Sequence, residues 1–267
     1  VPTEKPPPPG DVPSPRLRSE LLEHKQTRWN TMSVMRVGER IDLDVQGATY
    51  ATWHPRHVLT GYSWDGLSLG CLLRAAGPPA SVLVLGLGGG TVTRQLRALL
   101  PDVRLVGVEI DDGVIELARR WLRLDDTAVE VHVEDAYSFL ARGTERFDVV
   151  IDDLFLTGAE DVVRSRIPEG DTLALVRSRV ADGGIVVANV ITDVGPHQAV
   201  RRRARAAFRA GFGSVRVVTP PRGLNEVLVG GERTRPGTAL PVWAGRFDHP
   251  EDRAVLGKVR VSSVRRR

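Results

Sequence analysis

Four groups of residues have types and spacings suited to chemistry on a nucleoside-bearing ligand. The first is Leu85-Gly86-Leu87-Gly88-Gly89-Gly90, between the apolar run SVLVLGL and the segment TVTRQLRALL. Glycines there let the backbone turn tightly and approach a ligand at a helix N-terminus rich in unpaired N–H groups. Such a turn is shared by many nucleotide-binding sheets. The second is Glu109, in Val108-Glu109-Ile110-Asp111. It lies about twenty positions on, the spacing at which a carboxylate accepts from both hydroxyls of a ribose. Its plain alternative is a solvated strand-end acid. The third is Glu134-Asp135-Ala136, where Asp135 can accept from the exocyclic amine of adenine or cap the segment AYSFLAR, and the two roles are compatible. The fourth is the pair Asp152-Asp153, which closes FDVVI. Carboxylates at the carboxyl end of such a strand can bind a substrate amine or act as general base, or simply be solvated in a loop. Asp65 and Tyr62 are weaker candidates for orienting a nucleophile. His54 and His57, in WHPRH, are further candidate bases, although lone histidines near a turn more often serve structure. Trp29, Trp53 and Trp64 either wall an acceptor pocket or pack one element on another.

These groups need elements that bring them to one edge. SVLVLGL, VRLVGVEI, VEVHVED, FDVVIDDLF and GIVVANVI read as strands, the first a continuous apolar run of the kind buried on both faces. Helical segments alternate with them, and SVRVVTP and NEVLVGG follow as an antiparallel pair. This alternation implies an α/β fold, doubly wound, with a mostly parallel sheet of about seven strands. All four groups then fall at the carboxyl ends of successive strands. Ahead of the sheet, residues 17–27 suggest a short helix, and 32–37, 40–45 and 48–53 a small antiparallel β element. Residues 65–76 read as a helix stopped by Gly77-Pro78-Pro79. The expected division is a disordered Pro-rich leader over 1–16, the helix and β element over 17–64, the ligand-binding domain over 65–248 and a basic tail over 249–267.

The constellation resembles the spermidine synthase-like branch of the class I S-adenosylmethionine-dependent transferases. The resemblance is carried by RWNTMSV, IDLDV, VLVLGLGGGT, VEIDDGVIELARRW, VEDAYSFL and FDVVIDDLF, and runs from about Arg28 to Gly230. It implies the class I methyltransferase fold, with Gly86, Gly88 and Gly90 lining the nucleoside loop. Glu109 would hold the ribose, Asp135 with Ala136 the adenine, and Asp152 would face the transferring centre. Dimerisation through the N-terminal strands is implied in the same way. The aminopropyltransferase pattern has an Asp inside the glycine loop, where this chain has Gly89. It also has Asp-Ser-x-Asp-Pro at the fourth strand, where counting from Asp152 puts Phe155 in place of the second carboxylate. The family's Tyr-His-Glu is replaced by Tyr62-Ser63-Trp64-Asp65. A polyamine needs carboxylates matched to its ammonium groups, because an unpaired buried charge is costly. These departures favour methyl transfer from S-adenosylmethionine to a small acceptor, with Tyr62, Asp65 and Phe155 in the acceptor pocket. The alternatives are aminopropyl transfer from decarboxylated S-adenosylmethionine, a non-catalytic nucleoside-binding scaffold, and a nicotinamide-dependent oxidoreductase. The last lacks the usual G-x-G-x-x-G spacing.

Composition bounds the remaining classes. The chain has 267 residues, 42% of them hydrophobic, with no apolar run near the about eighteen needed to span a membrane. A net charge of +4 rests almost wholly on arginine, the only lysines being Lys5, Lys25 and Lys258. The arginines are scattered apart from Arg201-Arg202-Arg203 with Arg205 and the terminal Arg265-Arg266-Arg267, without the interleaved aromatics of an RNA-binding strand. No nucleic acid partner is expected, and the arginine-rich segment reads as a solvated helix face. The single cysteine, Cys71, excludes an internal disulfide, and no His/Asp/Glu group has metal-ligand spacing. A cytoplasmic protein acting on a small molecule without a metal is the expectation.

Overall fold

The computed structural model describes residues 19–157, 162–164, 166–192 and 196–264. The expected leader over 1–16 and the terminal arginines therefore lie outside the described residues. Two sheets carry the fold. The N-terminal one is an antiparallel meander of β1 (Ser19–Gln26), β2 (Thr31–Val37), β3 (Arg40–Val45) and β4 (Ala48–Trp53). The segment expected to be a helix is thus a strand. Cross-strand pairing with β2 overrides local helical character, and the alternating residues Glu23 and Lys25 reach one neighbouring helix, α3 (Asp112–Trp121). There Glu23 accepts from Trp121 Nε1 at 2.6 Å and from Arg120 at 2.7 Å, and Lys25 pairs with Glu116.

The main sheet holds β5 (Ser81–Leu85), β6 (Arg104–Glu109), β7 (Glu130–Val133), β8 (Phe147–Asp152), β11 (Val180–Ile191), β12 (Ser214–Thr219), β13 (Asn225–Gly231) and β14 (Arg260–Ser263). Their order is β14-β12-β13-β11-β8-β5-β6-β7, eight strands where about seven were expected. The strands from β11 to β7 run parallel, while β13, β12 and β14 add antiparallel edges. The extra strand comes from the supposed basic tail. Residues Pro250–Lys258 form helix α7, and β14 then pairs with β12. Between β8 and α5 (Gly170–Ser178) lies a short hairpin of β9 (Phe155–Thr157) and β10 (Val162–Arg164). The helix expected over 65–76 is the shorter α1 (Ser63–Cys71).

Central strands are apolar because both faces are covered: Val82, Leu83, Leu85, Val149, Val150 and Ile151 are all fully buried. Each such side chain contributes about 1.5–3 kcal/mol through its removal from water. The arginine-rich helix α6 (Pro196–Gly211) is not simply solvated. Arg201 and Arg205, one turn apart, both reach the buried Glu226 of β13, at 3.0 and 2.6 Å. That pairing holds α6 against the sheet.

Candidate active site

In this sheet β5 is followed in the chain by β6 on one side, while β8 pairs on its other side. The strand order reverses between β5 and β8, and a crevice opens beyond their carboxyl ends where the two loops part. A cleft of about 1400 Å³ occupies that position. The meander and the loop over 54–62 overhang it. Gly86 follows β5 at φ +80°, and its N–H bonds to Val108 O at 3.0 Å. A Cβ on Gly86 would lie 2.5 Å from the carbonyl oxygen of Asp153, so only glycine lets the ends of β5 and β8 approach this closely.

The half of the cleft over β7, β6 and β5 is lined by Gly86, Gly88, Glu109, Glu134, Asp135 and Ala136. Glu109 ends β6 and accepts from Gly88 N at 2.9 Å and from Ile110 N at 2.9 Å, tying the glycine turn to the next strand. Burial pushes its carboxyl above the usual range, opposed by these N–H donors. Asp111 N also donates to it at 3.2 Å, and the residue lines the cleft. Asp135 caps α4 (Ala136–Arg142), accepting from Ser138 N at 2.8 Å, and also lines the cleft. Gly90 does not line it. Its missing Cβ makes room for Leu124, and it caps α2 (Thr91–Leu99) at φ +83°.

The other half lies over β8, β11 and β13. Asp153 reaches the cleft, whereas Asp152 is 1% exposed within the sheet and outside it. Alternation of side chains along a strand separates the two. The cleft-facing carboxylate expected at Asp152 is therefore supplied by Asp153. Asn189 Nδ2 donates to Asp153 Oδ1 at 2.8 Å, and Asn225 Nδ2 donates to Asn189 Oδ1 at 2.9 Å. This amide–amide–carboxylate chain crosses three adjacent strands. The sequence showed Asn189 only as one polar residue inside the apolar run GIVVANVI, and Asn225 not at all. Tyr62 and Phe155 line the cleft. Asp65 does not: it is fully buried at the start of α1, accepting from Thr60 N at 2.9 Å, Gly61 N at 2.5 Å and Gln95 Nε2 at 2.7 Å. Its carboxylate shapes the overhanging loop from behind, and burial pushes its pKa up to about 6.

Trp29 and Trp64 line the cleft, and Trp53 stacks on the cleft-lining Arg94 with 5.2 Å from the guanidinium to the ring centre. His54 and His57 stand at the mouth with ring centres 4.3 Å apart, and burial lowers the pKa of His54. No ligand spacing showed in the sequence, yet the fold gathers His57, His249 and Glu251 within 4.8 Å of one another. Their polar atoms already serve each other: His57 Nε2 faces Glu251 at 3.4 Å, and His249 Nδ1 accepts the Glu251 N–H at 3.3 Å as the cap of α7.

Gly89 also takes its meaning from packing. A Cβ there would lie 2.5 Å from both Ala51 Cβ and Leu122 Cδ1, inside the apolar seam joining the meander to α3. The position faces that seam rather than the cleft, so the lack of a carboxylate there says little about the ligand.

Comparison with known proteins bears on the same region. Residues 71–210 match the spermine/spermidine synthase domain. The polyamine aminopropyltransferase of Mycobacterium tuberculosis is 39% identical over 150 residues, covering 52% of this chain and 27% of that protein. That of Pyrobaculum neutrophilum is 34% identical over 118 residues, covering 41% and 40%. The chain spans no more than 40% of the length of these two relatives. In fold it is similar to a probable spermidine synthase from Corynebacterium glutamicum, with a TM-score of 0.72 at 17% identity over 90% of each chain. Methyl transfer, expected from Gly89 and Phe155, is overturned by the domain match and by relatives that are aminopropyltransferases. The expectation leaned on Gly89, which packs away from the cleft, and on a missing second carboxylate, which counting from Asp153 moves from Phe155 to Leu156 without restoring it. With the domain matched over more than half of its length, this chain belongs to the spermine/spermidine synthase family.

Proposed function

We propose that this chain transfers an aminopropyl group from decarboxylated S-adenosylmethionine to an amine. The observation that carries the proposal is Asp153, the cleft-facing carboxylate at the reversal of strand order, held by Asn189 at 2.8 Å. The donor supplies an electrophilic methylene on a sulfonium: the amine nitrogen bonds to that carbon as the C–S bond breaks, and the electron pair leaves on sulfur as a neutral thioether. Glu109 and Asp135 bind the nucleoside, with Gly86 and Gly88 allowing the backbone to come close. Asp153 accepts the proton that the acceptor ammonium must lose and keeps the freed lone pair aimed at the donor. Asn189 and Asn225 fix the rotation of that carboxylate, and Tyr62, Trp64 and Phe155 exclude water from it. The size of the cleft, about 1400 Å³, accommodates a nucleoside donor and a small acceptor together.

The test is to incubate the purified chain with decarboxylated S-adenosylmethionine and a panel of primary amines and measure methylthioadenosine. Release that requires an amine and is lost in Asp153→Asn supports the proposal. No release with any amine refutes it.

A further inference from the structure

The two halves of the cleft differ in charge. The half over β7, β6 and β5 carries Glu109, Glu134 and Asp135, whereas the half over β8, β11 and β13 carries Asp153 and, at its far end, Arg222. Arg222 lies three residues before Asn225, at the edge of the Asp153–Asn189–Asn225 chain. Its backbone N–H donates to Gly61 O at 2.8 Å, and its stem rests on Gly61, where a Cβ would come 2.9 Å from Cδ. Gly61 sits at φ +87°, so the loop is built to accept that stem. Among the described residues the guanidinium has no hydrogen-bond or ion-pair partner. Three carboxylates of the overhang and mouth are already engaged: Glu39 by Arg56, Asp42 by Arg40 and Thr52, and Glu251 by His57.

A diamine with one nitrogen at Asp153 and its chain lying along the half over β11 and β13 would bring its second ammonium toward Arg222. Among the described residues no carboxylate lines that end, and counting from Asp153 the position of the family's second carboxylate is Leu156. A like charge disfavours the diamine there, while an anionic group would find an unpaired guanidinium. We infer that the acceptor is a primary amine with an anionic far end, an ω-amino carboxylate, with its amine at Asp153 and its carboxylate at Arg222. This rests on the aminopropyl-transfer reading. The product is the N-aminopropyl amino acid with its carboxylate unchanged, and the bonds made and broken are those given above.

The experiment compares 4-aminobutanoate and its longer homologues with diamines of the same length, each with decarboxylated S-adenosylmethionine and the whole chain. Methylthioadenosine and the mass of the product are read together. The amino acids are expected to give the higher kcat/KM. Arg222→Gln, which keeps most of the stem, should raise KM for the amino acid about fivefold, the value of an exposed ion pair near 1 kcal/mol. Arg222→Glu should reverse the order of preference. A wild-type preference for the diamines, or preferences that neither substitution moves, overturns the acceptor inference and leaves aminopropyl transfer standing. Absence of methylthioadenosine with every acceptor overturns both.

Discussion

Replacing Asn189 tests whether the buried amide chain sets up the reacting carboxylate. Asn189→Leu keeps the branched arrangement of four side-chain heavy atoms but removes the 2.8 Å donor to Asp153 Oδ1 and strands the 2.9 Å donor from Asn225. Asn189 is only 4% exposed, so water does not freely replace what is lost. A hydrogen bond to a charged group contributes about 1.5–3 kcal/mol, and each 1.4 kcal/mol is about tenfold in rate. The substitution should therefore lower kcat by about 10- to 150-fold. The direction of the pH effect follows from which protonation state the bond favours. The Nδ2 donor stabilises the ionised carboxylate, so without it the acid-side limb of the kcat/KM profile moves to higher pH. Methylthioadenosine release measured across pH, with circular dichroism to verify folding, provides both numbers. Asn225→Ala, which leaves the Asn189–Asp153 bond in place, should give a smaller loss in the same direction. If Asn189→Leu folds and retains full activity with an unmoved profile, the amide chain plays no part in positioning Asp153.

Two further substitutions test what the structure says about positions misread in the sequence. Gly89→Asp, which restores the family's carboxylate, should not improve activity. It would place an unpaired charge against Ala51 and Leu122 and cost about 3–5 kcal/mol in a denaturant-unfolding measurement. Asp65 should make stability depend on pH in an unusual direction. Its folded pKa is near 6 against an ordinary 3.8, so between these values the folded state holds a proton that the unfolded state has released. Stability from this group is then complete below about pH 4 and falls as pH rises to about 6, by up to about 3 kcal/mol at 1.36 kcal/mol per pH unit. Unfolding free energies of wild type and Asp65→Asn at both ends of that window should differ by this change, with the wild type losing ground as pH rises.

The α/β sheet was legible because buried parallel strands are short, nearly continuous apolar runs such as SVLVL and VVANVI, alternating with helical segments. The placement of Gly86, Gly88, Glu109 and Asp135 along one cleft was legible because each is fixed by its distance from the end of such a strand. What was missed depends on direction or on long-range assembly. Choosing between Asp152 and Asp153 needs the strand's register, since one step moves a side chain from the core to the cleft. Gly89 and Gly90 look alike in a glycine cluster, yet each faces a different hydrophobic neighbour, Leu122 or Leu124. Arg222 and the group of His57, His249 and Glu251 come together only through loops separated by much of the chain. The strand at Ser19–Gln26 has polar, charged residues that look helical until β2 and α3 supply their partners.

Calorimetric titration with decarboxylated S-adenosylmethionine and, separately, with the carboxylated form tests the central proposal most directly. The sheet side of the cleft presents Glu109, Glu134, Asp135 and Asp153, so a donor without its own carboxylate meets less repulsion. Tighter binding of the decarboxylated donor, weakened by Glu109→Gln, is the predicted result. Tighter binding of the carboxylated form would contradict aminopropyl transfer.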